Sequence, residues 1–422
     1  MQQKSFARDS NTMPRTFKIP QFYRSPIISA LKTARMAADP RKKDTSPSLL
    51  DFGSLHIWIA RSFSFCFGVE NAVEIAYQAI ADNPGRRLFM LSEMIHNPHV
   101  NNDLRRRGMH FLRSTMGEQL IPFSTLSPTD IIIIPAFGTT LEILEELEDL
   151  GVDVRTYDTT CPFVEKVWRR SAQIGDKGYT VVIHGKRLHE ESRATFSHAK
   201  EHAPVVVVRD IAEAHDLAKV IRGEEGREYF FDRFADRYSK GFDPDRDLER
   251  IGVVNQTTML VRETQAVTGV LREAIVDRYG AKDHFVDTSD TLCYATHENQ
   301  EAAKALLDRP LDLALVVGGY NSSNTSQIVS LCSEVVPTYF IGSADDIADR
   351  NRIHHYDYPA KEVRTTVNWM PTNRPASIAL TSGASCPEML MDEVIRKVVA
   401  FFEGTSSFEQ ALAPYQNATA AA

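Results

Sequence analysis

The stretch TYDTTCPFVEKVW, Thr156–Trp168, sets one cysteine between the end of an extended run and the start of a helical pattern. The arrangement recurs twice, in HIWIARSFSFCFGVENAVEIAYQA around Cys66 and in HFVDTSDTLCYATHENQEAAKAL around Cys293. Each copy has an extended segment, small polar residues, the cysteine, an aromatic residue or proline, and then helical periodicity. This is a repeat of structure rather than of sequence, and it predicts three similar α/β units, each presenting a thiol at a strand-to-helix junction.

The chain around these junctions alternates β-branched runs with longer helical patterns, as expected of an α/β protein with mainly parallel sheets. Strands are predicted in IIIIPAFG (131–138), YTVVIHG (179–185), APVVVVRD (203–210) and LDLALVVGG (311–319), and helices in TLEILEELEDLG and VTGVLREAIVDRYG. The interval 223–250 breaks the rhythm with dense charge and loosely spaced aromatics, and reads as a surface insertion with one amphipathic helix. The last ten residues read as a frayed tail. The expected division is an N-terminal extension (1–54), α/β domains at 55–160, 161–292 and 293–390, and a C-terminal helix and tail (391–422).

With 422 residues, 43% hydrophobic and 25% charged, the chain can bury a core unaided. A net charge of −8 gives no footprint for nucleic acid or anionic membrane, and no run approaches the ~20 apolar residues of a membrane helix. Five scattered cysteines do not resemble a secreted disulfide framework. A cytoplasmic location is expected. The first 48 residues carry ten Lys/Arg against three Asp, which would suit a plastid or other organelle transit peptide, but they are not notably Ser-rich and contain the apolar run SPIISALKTA.

A thiol at a helix start faces free N–H groups and the positive end of the helix dipole, which favour thiolate, the metal-binding form. Free cysteine usually acts as a small buried hydrophobe. Three in matched contexts, against Cys332 inside a helix, point instead to a shared site, and three converging thiolates would suit an iron–sulfur cluster with one iron lacking a protein ligand.

NSSNTSQIVSLC (321–332) follows a strand and opens a helix, where hydroxyls, amides and backbone N–H groups could receive a phosphate, or where Ser and Asn merely cap the helix. TSGASCPEML (381–390) repeats the arrangement, and two such seats favour a phosphorylated ligand. His96 in IHNPHV, His189 and Glu191 in HEES, and Thr257 and Thr258 in NQTTM are individually weak candidates.

Their combination and order are specific. CFGV, IHNPHV, DTTCPFVEKV, HEES, NQTTM, DTLCYAT, NSSNTSQI and SGASCPE closely resemble the LytB-type 4-hydroxy-3-methylbut-2-enyl diphosphate reductases, the last enzymes of the methylerythritol phosphate route to isoprenoids, over about residues 55–400. The resemblance implies three α/β domains in a trefoil around one [4Fe–4S] cluster per chain, held by Cys66, Cys161 and Cys293. It implies that the allylic diphosphate is bound by His96, His189, Asn321, Ser322, Ser323, Asn324 and Ser385, with Thr257 and Thr258 also in contact. The substrate hydroxyl would meet the open iron, with Glu191 and Thr257 serving proton transfer. Reduction with loss of water would then yield isopentenyl and dimethylallyl diphosphate, with a ferredoxin or flavodoxin as electron donor and no nucleic-acid or membrane partner.

The sequence departs from the best-known bacterial pattern at Phe137, in PAFGTT, where those members have His. This, the GFDPDRDL insertion and the N-terminal extension resemble the plant and cyanobacterial branch, and His184 is a neighbour that could compensate. Two rival readings are a thiol hydrolase using Cys161 with His189 and a non-redox sensor of a phosphorylated metabolite.

Overall fold

A computed structural model describes residues 16–280, 282–286 and 291–420. Residues 1–15 of the extension and 287–290, within the Cys293 motif, lie outside the described residues. The N-terminal part contains α1 (Pro26–Ala38), β1 (Ser48–Asp51) and β2 (Leu55–Ile59), followed by α2 (Phe67–Asp82), β3 (Leu88–Met90), α3 (Pro98–Arg106), β4 (Met109–Phe111), β5 (Ile131–Ile133) and α4 (Leu141–Asp149). The middle contains α5 (Pro162–Gly175), β6 (Thr180–His184), α6 (Glu190–Ala199), β7 (Val205–Val208), α7 (Ile211–Arg222), α8 (Arg227–Arg233), α9 (Pro244–Asp247), β8 (Ile251–Asn255), α10 (Val261–Tyr279) and β9 (Phe285–Val286). The remainder contains α11 (Tyr294–Leu307), β10 (Leu313–Val317), α12 (Ser323–Ser333), β11 (Thr338–Ile341), β12 (Arg352–Asp357), β13 (Glu362–Val367), β14 (Ala376–Ser382), α13 (Glu388–Val399) and α14 (Phe408–Ala420).

Three sheets define three α/β units in a trefoil-like arrangement: β4-β3-β5, β7-β6-β8-β9 and β1-β2-β14-β10-β11, with β12-β13 a separate hairpin. The first two sheets are parallel throughout, and the third is parallel except where β1 joins β2. The strands β6, β8 and β10 are buried along their whole length, which explains why they read as unbroken apolar runs rather than alternating ones. All four strands and both helices expected above are present.

The sheet pairing differs from the expected division at one boundary. β2 joins β14 in parallel, with Ile57 opposite Ile378 and Ile59 opposite Leu380, so it belongs to the third sheet rather than to the first unit. Residues 16–38 are likewise part of the body. Ile27, Ile28 and Leu31 enter the core of the third unit, while Phe17, Ile19 and Tyr23 enter that of the first. Arg24 lies 2.8 Å from Glu70 on α2 and 3.4 Å from Glu388 on α13, tying the two units together. A cleavable leader would therefore have to end before this segment.

The 223–250 interval forms two short helices rather than one; α8 is amphipathic as expected, with Arg227, Glu228 and Asp232 exposed while Phe230 and Phe234 are fully buried and Phe230 stacks on Phe242 at 5.0 Å. Phe230→Ala should therefore destabilise the chain by ~3–5 kcal/mol in denaturant titration, the usual cost of emptying a packed aromatic site. Of the last ten residues, expected as a frayed tail, 413–420 continue α14, and the Tyr415 hydroxyl donates to the Leu49 carbonyl at 2.9 Å; 421 and 422 lie outside the described residues.

Candidate functional site

Cys66, Cys161 and Cys293 are the N-cap residues of α2, α5 and α11, each with extended backbone angles. Their backbone N–H groups are anchored to Ala384, Ala136 and Thr257 respectively, at 3.2, 3.0 and 3.4 Å. The three side chains line one cavity of about 100 Å³. Close approach requires Gly68, because a Cβ there would lie 2.5 Å from Sγ of Cys161. Gly68→Ala is expected to displace that thiol and lower the iron retained per chain several-fold, measurable by metal analysis on protein whose circular dichroism is unchanged.

The helix-start N–H groups pull the thiols toward thiolate, as expected, but burial pulls the other way. Burial pushes Cys293 up to about 12 and raises Cys66 and Cys161 too; the nearby Cys66 adds to the rise at the other two. The helix-start N–H groups oppose this shift without overcoming it. A cationic group binding among them would therefore have to displace their protons. No set of three or more His, Cys, Asp or Glu among the described residues is arranged around a single metal ion. Three soft donors on one cavity are the donor set that an iron–sulfur cluster takes, each thiolate binding a different iron.

Beyond the thiols the lining mixes apolar side chains with polar ones, the latter being His96, His189, Glu191, Thr257, Thr258, Ser322, Ser323, Asn324 and Ser385. Asn324 is buried; its Oδ1 accepts from the Ala384 N–H at 2.8 Å, leaving Nδ2 unpaired. His189 Nδ1 accepts from the Glu191 N–H at 3.2 Å, which assigns the proton to Nε2, and Nε2 is also without a partner. Burial, and then the proximity of His96, hold His189 well below its ordinary range, so it is a neutral donor. Ser385 donates to the His96 carbonyl at 3.2 Å, and Gly319 lets that carbonyl approach, since a Cβ would collide with it. Buried donors left unpaired are costly unless a ligand supplies acceptors. Asn321 does not join them: it is exposed and donates to Glu93 at 3.0 Å.

Glu191 is 1% exposed and accepts from the Thr257 N–H at 2.5 Å and the Thr257 hydroxyl at 3.1 Å. Burial raises its carboxyl to about 7, against the pull of those two bonds. Gln256 braces this corner by donating to Thr258 at 2.7 Å and to Ser323 at 3.3 Å, which links the second and third units.

Phe137 stacks on the His96 ring at 4.2 Å. His184 does not compensate: it is fully buried outside the cavity lining, bonded to the Thr264 hydroxyl at 3.1 Å. The partner that sequence reasoning missed is Glu190, which lies 3.2 Å from His96 Nε2 and accepts a short bond from Ser92. Its only signal was its place as the first acid of HEES, and Ser92 stands in no motif.

Three α/β units bring one thiol each to a cavity that also holds two unpaired buried donors, Nε2 of His189 and Nδ2 of Asn324. The chain belongs to the LytB protein family, whose model matches residues 57–399. It is 39% identical to the 4-hydroxy-3-methylbut-2-enyl diphosphate reductase of a Picosynechococcus species over 82% of this chain and 85% of that one. Identity to the Synechocystis enzyme of the same name is 38%, over 85% and 93%. The structure of the E-1-hydroxy-2-methyl-but-2-enyl-4-diphosphate reductase from Plasmodium falciparum shares the fold, with a TM-score of 0.58, 20% identity, and coverage of 82% of this chain and 87% of that one. Among the described residues no helix is long and apolar enough to cross a membrane.

Proposed function

We propose that the chain reduces (E)-4-hydroxy-3-methylbut-2-enyl diphosphate to isopentenyl and dimethylallyl diphosphate, using a [4Fe–4S] cluster held by Cys66, Cys161 and Cys293. The observation that carries this reading is the meeting of three helix-cap thiols and two unpaired buried donors, His189 Nε2 and Asn324 Nδ2, in one cavity. The diphosphate would take hydrogen bonds from those two groups, from Ser322, Ser323 and Ser385, and from His96, which Phe137 and Glu190 hold in place. Among the expected contacts, Asn321 has the least support, being exposed and engaged with Glu93.

When bound, the cluster would supply electrons singly and a Lewis-acidic iron site for the substrate hydroxyl. The overall change takes two electrons and two protons: the allylic C–O bond breaks, hydroxide leaves as water, and the second proton goes to carbon. Glu191, raised to about 7, retains a proton near neutrality and can deliver it to the departing oxygen through the Thr257 hydroxyl. Val69, Ile95, Ala136 and Ala295 line the cavity and limit water around the hydrocarbon part. A ferredoxin or flavodoxin would be the electron donor.

The hydrolase reading fits less well, because His189 Nε2 bonds to no thiol and Nδ1 is engaged by Glu191. The test is an anaerobic assay of the allylic diphosphate with a chemical reductant. Formation of both isoprenyl diphosphates supports the proposal, and unchanged substrate in the presence of a full cluster complement overturns it.

A further inference from the structure

Behind Glu190 lies a second cleft of about 250 Å³, lined by Arg113, Ser114, Thr139, Thr140, Glu190 and Arg193 among others. The two guanidinium groups sit side by side: a Cβ on Gly117, whose φ is +91°, would run into Nη1 of Arg193 and lie 3.4 Å from Nη2 of Arg113. Both are tied to the loop between them by carbonyls only. Arg113 donates to Gly117 at 2.5 Å, and Arg193 to Met116 and Thr115 at 2.9 and 3.1 Å. The carboxylate in the cleft does not neutralise them by direct contact, because the oxygens of Glu190 are engaged by Ser92 and by His96.

Two like charges held together in a half-buried cleft repel unless an anion lies between them, and arginine pairs present the forked donors that phosphate oxygens match. Ser114, Thr139 and Thr140 line the same space, Thr140 at the start of α4, where its side chain makes no cap bond and the Leu141 N–H is taken by the Ser197 hydroxyl at 3.0 Å. Burial draws the Arg193 guanidinium below its ordinary range, with Arg113 contributing and Glu190 opposing.

We propose that this cleft is a second binding site, for a small molecule bearing a phosphate or diphosphate group, distinct from the cavity of the three thiols. Arg113 and Arg193 hold the anion, and the hydroxyls complete its shell. Glu190 forms the wall next to His96, so occupancy of the cleft bears on the neighbouring cavity and, by linkage, the effect is mutual.

The test is equilibrium titration of the full, cluster-loaded chain with inorganic diphosphate. Two sites per chain are expected. Asn324→Ala should weaken one, while Arg113→Gln and Arg193→Gln should each weaken the other at least tenfold. Thr140→Asp, which keeps a side chain able to cap α4 while adding a negative charge to the cleft, should remove the second site alone. Competition by dimethylallyl diphosphate separates two sources of the anion: tighter binding than inorganic diphosphate at the second site assigns a prenylated ligand, and equal or weaker binding a free one. A single site in the unaltered chain, or a second site indifferent to both arginines and to Thr140→Asp, would overturn the proposal.

Discussion

Cys161→Ser is expected to give a folded, colourless chain with no iron–sulfur cluster and no measurable turnover. The backbone at this position is fixed independently of the thiol, by the Cys161 N–H to the Ala136 carbonyl at 3.0 Å, so the helix start should survive. What is lost is one of three soft ligands, and a serine hydroxyl is both a harder donor and far more difficult to deprotonate in a site where burial already raises the thiol. The same outcome is expected for Cys66→Ser and Cys293→Ser, because the three helix caps share one cavity. A thiol hydrolase predicts otherwise: only one of the three would be essential. Visible absorbance and iron analysis on the three variants, with circular dichroism as the folding control, separate these accounts.

Glu191→Gln is expected to keep the cluster yet lose turnover by roughly 10²-fold or more, the usual scale of a positioned proton donor. The amide retains the shape and can still accept from the Thr257 N–H, but it carries no acidic proton. The pH dependence follows from the raised carboxyl. Its protonated form dominates below about 7, so turnover should fall about tenfold per pH unit above that value. That limb should be absent from the residual activity of the variant. Stability has a matching sign: a folded-state value of about 7 against an ordinary 4.5 means that the folded chain holds the proton more tightly. The contribution of Glu191 to stability is therefore full below 4.5 and lost as pH rises through about 7, and Glu191→Gln should flatten that part of the stability profile. Near-normal turnover in the variant would remove the proton role.

Much of this was legible in local patterns. Cysteine followed by an aromatic residue or proline and a helical period identifies a cap position, and all three occurrences are caps. Continuous valine and isoleucine runs identified the central strands because both faces of those strands are covered. The pairing of β2 with β14 was not legible, since strand order follows from contacts more than 300 residues apart, such as Ile57 with Ile378. The bond between Ser92 and Glu190, separated by 98 residues, leaves no periodic trace either. The helix-start pull on the thiols was legible but the opposing burial was not, because a sequence displays the helix start and not the depth at which it is buried. The role of two basic residues of the N-terminal extension was not legible: Arg24 and Lys32 belong to an ion-pair group around Glu388, 2.9 Å from Lys32.

The most direct test of the central claim is iron and acid-labile sulfide per chain, with the visible spectrum, on protein purified without oxygen. The account predicts about four of each, the complement of a cubane cluster. A colourless protein that also resists reconstitution with iron and sulfide would contradict it.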